Sequence, residues 1–316
     1  MKTILVWAVM LMPSLSFACD VCGVFVGIQP YDRTNSISLI YRYRHLQGEL
    51  PLINTGHQHH GAAGSSSDAG TQLVRDLLQV AELRGDFWIG QRFNVLGMIT
   101  AANNYRAVDG HISNDVYGIS DPVLIGRYLL VNTKSNGDAG RTAHRIMAGL
   151  GVKAPLGDPS PTYHGEPVPM EHQLGSGSWD MIGTIEYMVR KNRNGFAMNM
   201  IGRRNGVAAD GHCMGNSLSI TSEIFRRYDA GESWRIMPSA GVYYETMGNM
   251  RHDGAIMAGT GGNTLFTHTA LRAWYRNWGV QAVYQLAAIR EQGRLMVPNR
   301  ERVILGITYN LTKNQR

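Results

Sequence analysis

The sequence predicts an all-β chain, a single antiparallel transmembrane β-barrel of about 12 strands. Three observations lead there. Segments of alternating hydrophobicity recur along the chain at a period of two, not 3.6. The composition favours strands and turns, with 37 Gly, 14 Tyr and 6 Trp in 316 residues and only 17% charged residues. Beyond residue 18, no run approaches the roughly 18 to 20 apolar residues of a spanning helix.

The chain starts with Lys2, an apolar stretch from Ile4 to Met12, Pro13, and Ser16-Phe17-Ala18 ahead of Cys19. A charged start, a short apolar core and small residues before the cleavage point predict a secretory signal peptide over 1–18, too short to span a membrane. Residues 19–34 then form a periplasmic segment and 35–316 the barrel. The predicted location is the outer membrane of a Gram-negative bacterium, with outer-membrane lipid as the first partner.

In order, the strands fall near 35–46, 75–89, 92–105, 118–132, 142–155, 175–190, 195–205, 216–228, 232–247, 264–276, 278–290 and 301–312. The last is the cleanest: Val303, Leu305, Ile307, Tyr309 and Leu311 on one face oppose Arg302, Gly306, Thr308, Asn310 and Thr312 on the other, and only Ile304 interrupts. In the eleventh, Trp278, Val280, Ala282, Tyr284, Leu286 and Ala288 oppose Gly279, Gln281 and Gln285. In the sixth, Trp179, Met181, Gly183, Ile185, Tyr187 and Val189 oppose Asp180, Thr184, Glu186 and Arg190. Trp179 and Trp278 stand at strand ends, where an aromatic girdle meets the headgroups.

Connections after even-numbered strands are short: Gly90-Gln91, Thr133 to Arg141, Lys191 to Asn194, Asp229 to Gly231, and Asn277. The others are mostly longer, including Gln47 to Val74 and Leu156 to Leu174. Short periplasmic turns with long external loops are the barrel pattern. A soluble β-sandwich would alternate its faces equally well but has no reason to alternate its loops.

The inward faces gather charges of both signs: Arg42, Arg44, Glu82, Arg84, Arg127, Arg145, Asp180, Glu186, Glu223, Arg235, Glu245, Arg272 and Arg302. Facing charges in a narrow lumen can form ladders of Arg–carboxylate pairs that brace the wall and leave a constricted polar path. The net charge of +6 is spread singly along strands and turns, with no Lys/Arg block, which excludes a nucleic-acid partner.

Three motifs invite chemistry. Cys19 and Cys22 form a CxxC suited to a disulfide or a thiol pair; Gly23 stands where covalent haem attachment needs His. His57, His59 and His60 lie in a Gly/Ser-rich loop, and His212 and Cys213 lie in another, as candidate copper or zinc donors. A barrel hydrolase would need a base such as His268, but Gly175-Ser176-Gly177-Ser178-Trp179 lacks the final Gly of a nucleophile elbow, so no catalytic residue is assigned.

Several segments together resemble a known family. Gly151-Val152-Lys153-Ala154-Pro155-Leu156-Gly157-Asp158 and His172-Gln173-Leu174-Gly175-Ser176-Gly177-Ser178-Trp179-Asp180 are similar to collinear motifs of the outer-membrane transporter-like family grouped with the meta-pathway phenol-degradation proteins. Thr260-Gly261-Gly262-Asn263-Thr264-Leu265 and the Tyr284-Gln285 strand are similar to its C-terminal third, and Cys19-Asp20-Val21-Cys22-Gly23 to a subgroup that continues with a further Cys, where Val24 stands here. The resemblance implies a barrel passing small solutes and supplies no catalytic residues. The expected function is therefore an outer-membrane channel or transporter-like protein for a small-molecule solute. The alternative is a copper- or zinc-binding barrel using external histidines, and a hydrolase is third. Cofactors other than that metal are not expected, and no pattern encodes an oligomeric state.

Overall fold

The computed structural model describes residues 33–51, 70–133, 140–231 and 233–311. They form a closed antiparallel barrel of 12 strands. The strands are β1 Ser36–Pro51, β2 Thr71–Ile89, β3 Phe93–Val108, β4 in two pieces (His111–Ile119 and Val123–Asn132), β5 Thr142–Lys153 and β6 Asp180–Lys191. They continue as β7 Asn194–Arg204, β8 Ser217–Arg226, β9 Trp234–Met247, β10 Gly262–Tyr275, β11 Trp278–Gln292 and β12 Asn299–Asn310. Consecutive strands pair throughout, and β1 closes the barrel on β12 from Ser36↔Asn310 upward. No sheet edge is left open around the lower half, so the backbone groups there are paired without water.

The period-two pattern becomes two environments. On β12, Leu305, Ile307 and Tyr309 are exposed on the outer wall, while Arg302, Ile304 and Asn310 are buried inside. Ile304 ceases to be an exception: it packs with Ile40, Ala270 and Val283 as an apolar patch within the lumen. The outer wall carries a belt of exposed apolar side chains on many strands, among them Leu39, Leu83, Ile99, Leu124, Leu150, Ile185, Ile224, Leu271 and Val280. Among the described residues no helix is long and apolar enough to cross a membrane. At the short-turn end, the Trp234–Tyr275 and Trp278–Tyr309 ring pairs sit 4.9 and 4.8 Å apart on the outside, where headgroups begin.

Three boundaries differ from the sequence-based expectation. β3 and β4 continue to a two-residue external turn, Asp109-Gly110, instead of flanking a long loop. Both turn residues have positive φ (50° and 84°), as a type I′ hairpin requires. β1 and β2 likewise extend to Pro51 and Thr71, beyond the expected ends. β6 begins at Asp180, not at 175, because residues 154–179 leave the wall. There β4 is interrupted at Ser120-Asp121-Pro122; its outer piece pairs only with β3, and the small Thr162–Tyr163 strand packs beside it.

Candidate channel lumen

Alternate residues of each strand must point inward, and the inward polar ones cannot stay unpaired in a space closed to bulk water. The structure resolves this into local clusters. Glu82, 1% exposed, lies between Arg42 (Nη2 to Oε2, 3.1 Å) and Arg84 (Nε to Oε1, 2.6 Å). Glu223 is held by both terminal nitrogens of Arg272 (2.9 and 3.0 Å) and by the Ser239 hydroxyl at 2.5 Å. Glu245 accepts from Arg302 and, at 3.0 Å, from Arg44. Arg302 lies over the Tyr243 and Phe266 rings, 5.2 and 4.6 Å from their centroids.

Nearer the short-turn end, Arg127 bridges Asp86 (2.6 Å) and Glu186 (2.7 Å). Arg145 reaches the Met147 sulfur and lies over Trp88. Arg235 pairs with Asp229 on the rim at 3.0 Å. Asp180 stands at the opposite end of β6, against Lys153 at 2.8 Å. The 13 lumen candidates thus all lie on inward faces or at the rim, mostly in ion pairs.

These clusters divide the lumen. A cavity of about 70 Å³ at the short-turn end is lined by Arg84, Asp86, Trp88, Arg127, Glu186, Trp274 and neighbours, with Arg33 and Thr34 reaching into it. A second of about 70 Å³ in the outer half is lined by the apolar Leu46, Leu78, Ile201, Met247, Met296 and Val297, interspersed with the charged Arg44, Asp76, Arg106, Glu171 and Glu245 and with His172. Between them lies a waist of buried ion pairs, Arg42–Glu82 and Arg272–Glu223, that line neither cavity. By the same measure a water needs about 10–15 Å³, so each cavity holds several waters or one small solute.

The segment 154–179 enters the outer cavity, where Glu171 and His172 form part of its lining. Its short 3-10 turn, Met170–His172, lies inside the barrel. His172, 1% exposed, donates from Nε2 to Asp76 Oδ2 (3.1 Å), and its Nδ1 accepts from the Asn114 amide (3.0 Å). Arg106 holds Asp76 with two bonds of 2.8 Å and reaches Glu171 at 3.1 Å, while Asn104 donates to the His172 carbonyl at 2.9 Å. At the foot of the segment, Lys153 is clamped by Asp121 (2.7 Å) and Asp180 and touches the Ser176 hydroxyl. The same Asp121 accepts from the backbone N–H groups of Gly157 and Ser176. A Cβ on Gly175 would collide with the Gly157 carbonyl, so glycine there is a packing requirement.

Sequence reasoning missed Asp76, Arg106, Asp121 and His172 as lumen residues. Asp76 lies within the expected second strand and shares parity with the inward Glu82, and Arg106 shares parity with Thr100 one residue past the expected third strand, so parity reaches both; His172 carries no such signal, falling in the expected external loop from Leu156 to Leu174. Cys19, Cys22, His57, His59 and His60 lie outside the described residues.

His212 and Cys213 do not form a joint donor pair. His212 lies beside His252, whereas the adjacent Cys213 is partly buried with its thiol toward the Asn205 and Met214 carbonyls. Successive strand residues face opposite ways, which separates them. Burial raises the Cys213 pKa, so the thiol is a weak donor at neutral pH. His268, the candidate hydrolase base, is buried between Gln285 (3.0 Å) and Glu223 (3.5 Å), and the Ser239 hydroxyl donates to that carboxylate.

A closed barrel with an apolar belt, aromatic pairs at one rim and a charged interior is an outer-membrane β-barrel. No protein-family model and no curated protein matches the sequence. Among solved structures, the chain is similar to the COG4313 outer membrane channel from Pseudomonas putida F1, at 12% identity and a TM-score of 0.58, over 90% of this chain and 99% of that one. It also aligns with the β domain of the Bordetella autotransporter BrkA, at 12% identity and a TM-score of 0.44, over 89% of this chain and 100% of that one. The first likeness establishes the fold.

Proposed function

We propose that the protein is a gated channel for small, largely apolar solutes that carry a hydrogen-bonding group, held shut by the segment 154–179. The observation that carries this reading is the anchoring of Glu171 and His172 to Arg106 and Asp76 inside the outer cavity. That contact is made by side chains and single carbonyls, with no strand pairing to the wall, so it can be undone without breaking the barrel. A packed β-core could not be.

The outer cavity suits such a solute. Its apolar lining residues favour hydrocarbon surface by roughly 25 cal/mol per Å² removed from water. Its charged lining residues are already paired within the wall, which leaves hydrogen-bonding capacity without a strong demand for a counter-ion. Passage further inward meets the waist, where long arginine side chains on flexible stems are the movable parts. The P. putida protein of the same fold is itself an outer-membrane channel, which supports the class of activity.

Planar-bilayer recording of the purified protein tests the proposal. Rare openings are expected, with current blocked by a neutral aromatic alcohol more strongly than by a sugar of similar size. A protein that never conducts, in wild-type form or with the segment anchors removed, would overturn it.

A further inference from the structure

The geometry points to a two-imidazole binding site for a borderline divalent cation, copper(II) or zinc(II), formed by His212 and His252 on the external loops. It uses neither Cys213 nor the lumen. The loop 205–216 supplies the short strand His212–Cys213, and the loop 248–261 supplies Arg251–His252 and Ala255–Ile256; together they form a small antiparallel sheet with His212 directly opposite His252. Side chains at directly opposed positions share one face with Cβ atoms about 5 Å apart. The two rings accordingly lie 4.1 Å apart, tilted by 38°, and their side chains are 36% and 48% exposed.

Each ring has its own carboxylate. Nδ1 of His212 is 3.0 Å from Asp210, and Nε2 of His252 is 3.6 Å from Asp253. Metal-binding histidines turn one nitrogen to a carboxylate, which fixes the tautomer and raises the basicity of the other. On His212 this leaves Nε2 for the cation, and the His252 ring, 4.1 Å away, supplies the second nitrogen.

Further support is the backbone of this loop: Asp210 also accepts from the His212 N–H at 3.1 Å, and Asp253 donates its N–H to the Gly211 carbonyl at 3.0 Å. The loops are thus tied before any cation arrives, so little ordering is needed on binding. Among the described residues no three His, Cys, Asp or Glu side chains are arranged to hold a metal ion together, so in this proposal two imidazoles supply the protein donors and water completes the shell. Imidazole pairs of this kind suit copper and zinc better than magnesium or calcium, which take oxygen donors.

The test is titration of the full-length, tag-free protein in detergent with Cu²⁺ and, separately, Zn²⁺, followed by calorimetry and, for copper, electron paramagnetic resonance. A His57→Ala/His59→Ala/His60→Ala background removes competing imidazoles. One cation per chain is expected, with two nitrogen ligands in the copper spectrum. His212→Ala and His252→Ala should each weaken binding at least tenfold, while Cys213→Ser leaves it unchanged. Unchanged binding in both histidine variants, or loss in Cys213→Ser with both histidines intact, would overturn the assignment. Both histidine variants lie in external loops, and their heat-modifiable migration on gels should remain that of the folded barrel.

Discussion

Replacing His172 with alanine should open the barrel. The side chain makes two buried contacts that tie the segment 154–179 to the wall, Nε2 to Asp76 at 3.1 Å and Nδ1 to Asn114 at 3.0 Å. The substitution removes both and leaves Asp76 and Asn114 facing a hole in the closed state, each at a cost of about 1–3 kcal/mol. In the open state both groups face water and that cost vanishes. The closed state therefore loses about 2 kcal/mol relative to the open one, discounting both groups, since Asp76 keeps two bonds from Arg106 and the Asn114 amide keeps the Asn104 carbonyl at 3.2 Å. At 1.4 kcal/mol per factor of ten, the ratio of open to closed channels rises by roughly thirtyfold. Planar-bilayer recording measures this directly as open probability at fixed voltage. Heat-modifiable migration checks that the barrel itself is folded. A folded His172→Ala protein with wild-type open probability would refute the argument, because the segment would then not be held by that contact.

Glu223→Gln should destabilise the barrel by about 3–5 kcal/mol, since it strips the only ionised partner described for Arg272, which is 0% exposed. Chemical unfolding in detergent should show the loss, with most of it recovered in Glu223→Gln/Arg272→Met. Leu305→Arg, on the lipid-facing side of β12 four residues in from the Tyr309 rim, should cost about 2–4 kcal/mol, and the same assay reads it. Asp229, in the rim hairpin, has its pKa raised by burial but brought below the usual 3.8 overall by the Arg235 hydrogen bond and the Arg227 charge. A lowered folded pKa stabilises above the unfolded value and is lost as pH falls through the folded one, so the Asp229 pairs should persist down to pH 3.8 and release only below it. Carboxyl chemical shifts followed through an acid titration would show an ordinary midpoint if those pairs do not form.

Much of the wall was legible because each strand residue has one of only two environments. Leu305 and Ile307 face outward and Arg302 inward by parity alone. The 12-strand count followed from the same pattern, and the loop asymmetry set the direction of the barrel. The errors came where local pattern and tertiary role separate. Asp109-Gly110 carried a hairpin signal that was subsumed in an expected loop. Ser176 and Trp179 continue the alternation of β6, yet the wall stops at Asp180 because Lys153, Asp121 and the two close-packed glycines draw the preceding residues away. His212 and Cys213 are neighbours in sequence and diverge in space, while His212 and His252 are forty residues apart and meet.

The sequence by itself determined the barrel, its strand count, the two faces of every strand and the identity of most charges that line the lumen. Those follow from a period of two read against a membrane, a constraint that each strand obeys locally. Only the tertiary structure decided that buried ion pairs form a waist between two cavities, that Ile304 belongs inside, and that a segment reaching His172 enters the outer half. The reason is physical: inside a narrow barrel, which carboxylate meets which arginine depends on the register and curvature of strands distant in sequence. Burial then makes those pairings obligatory, because a charge left alone there costs more than any local preference can offset.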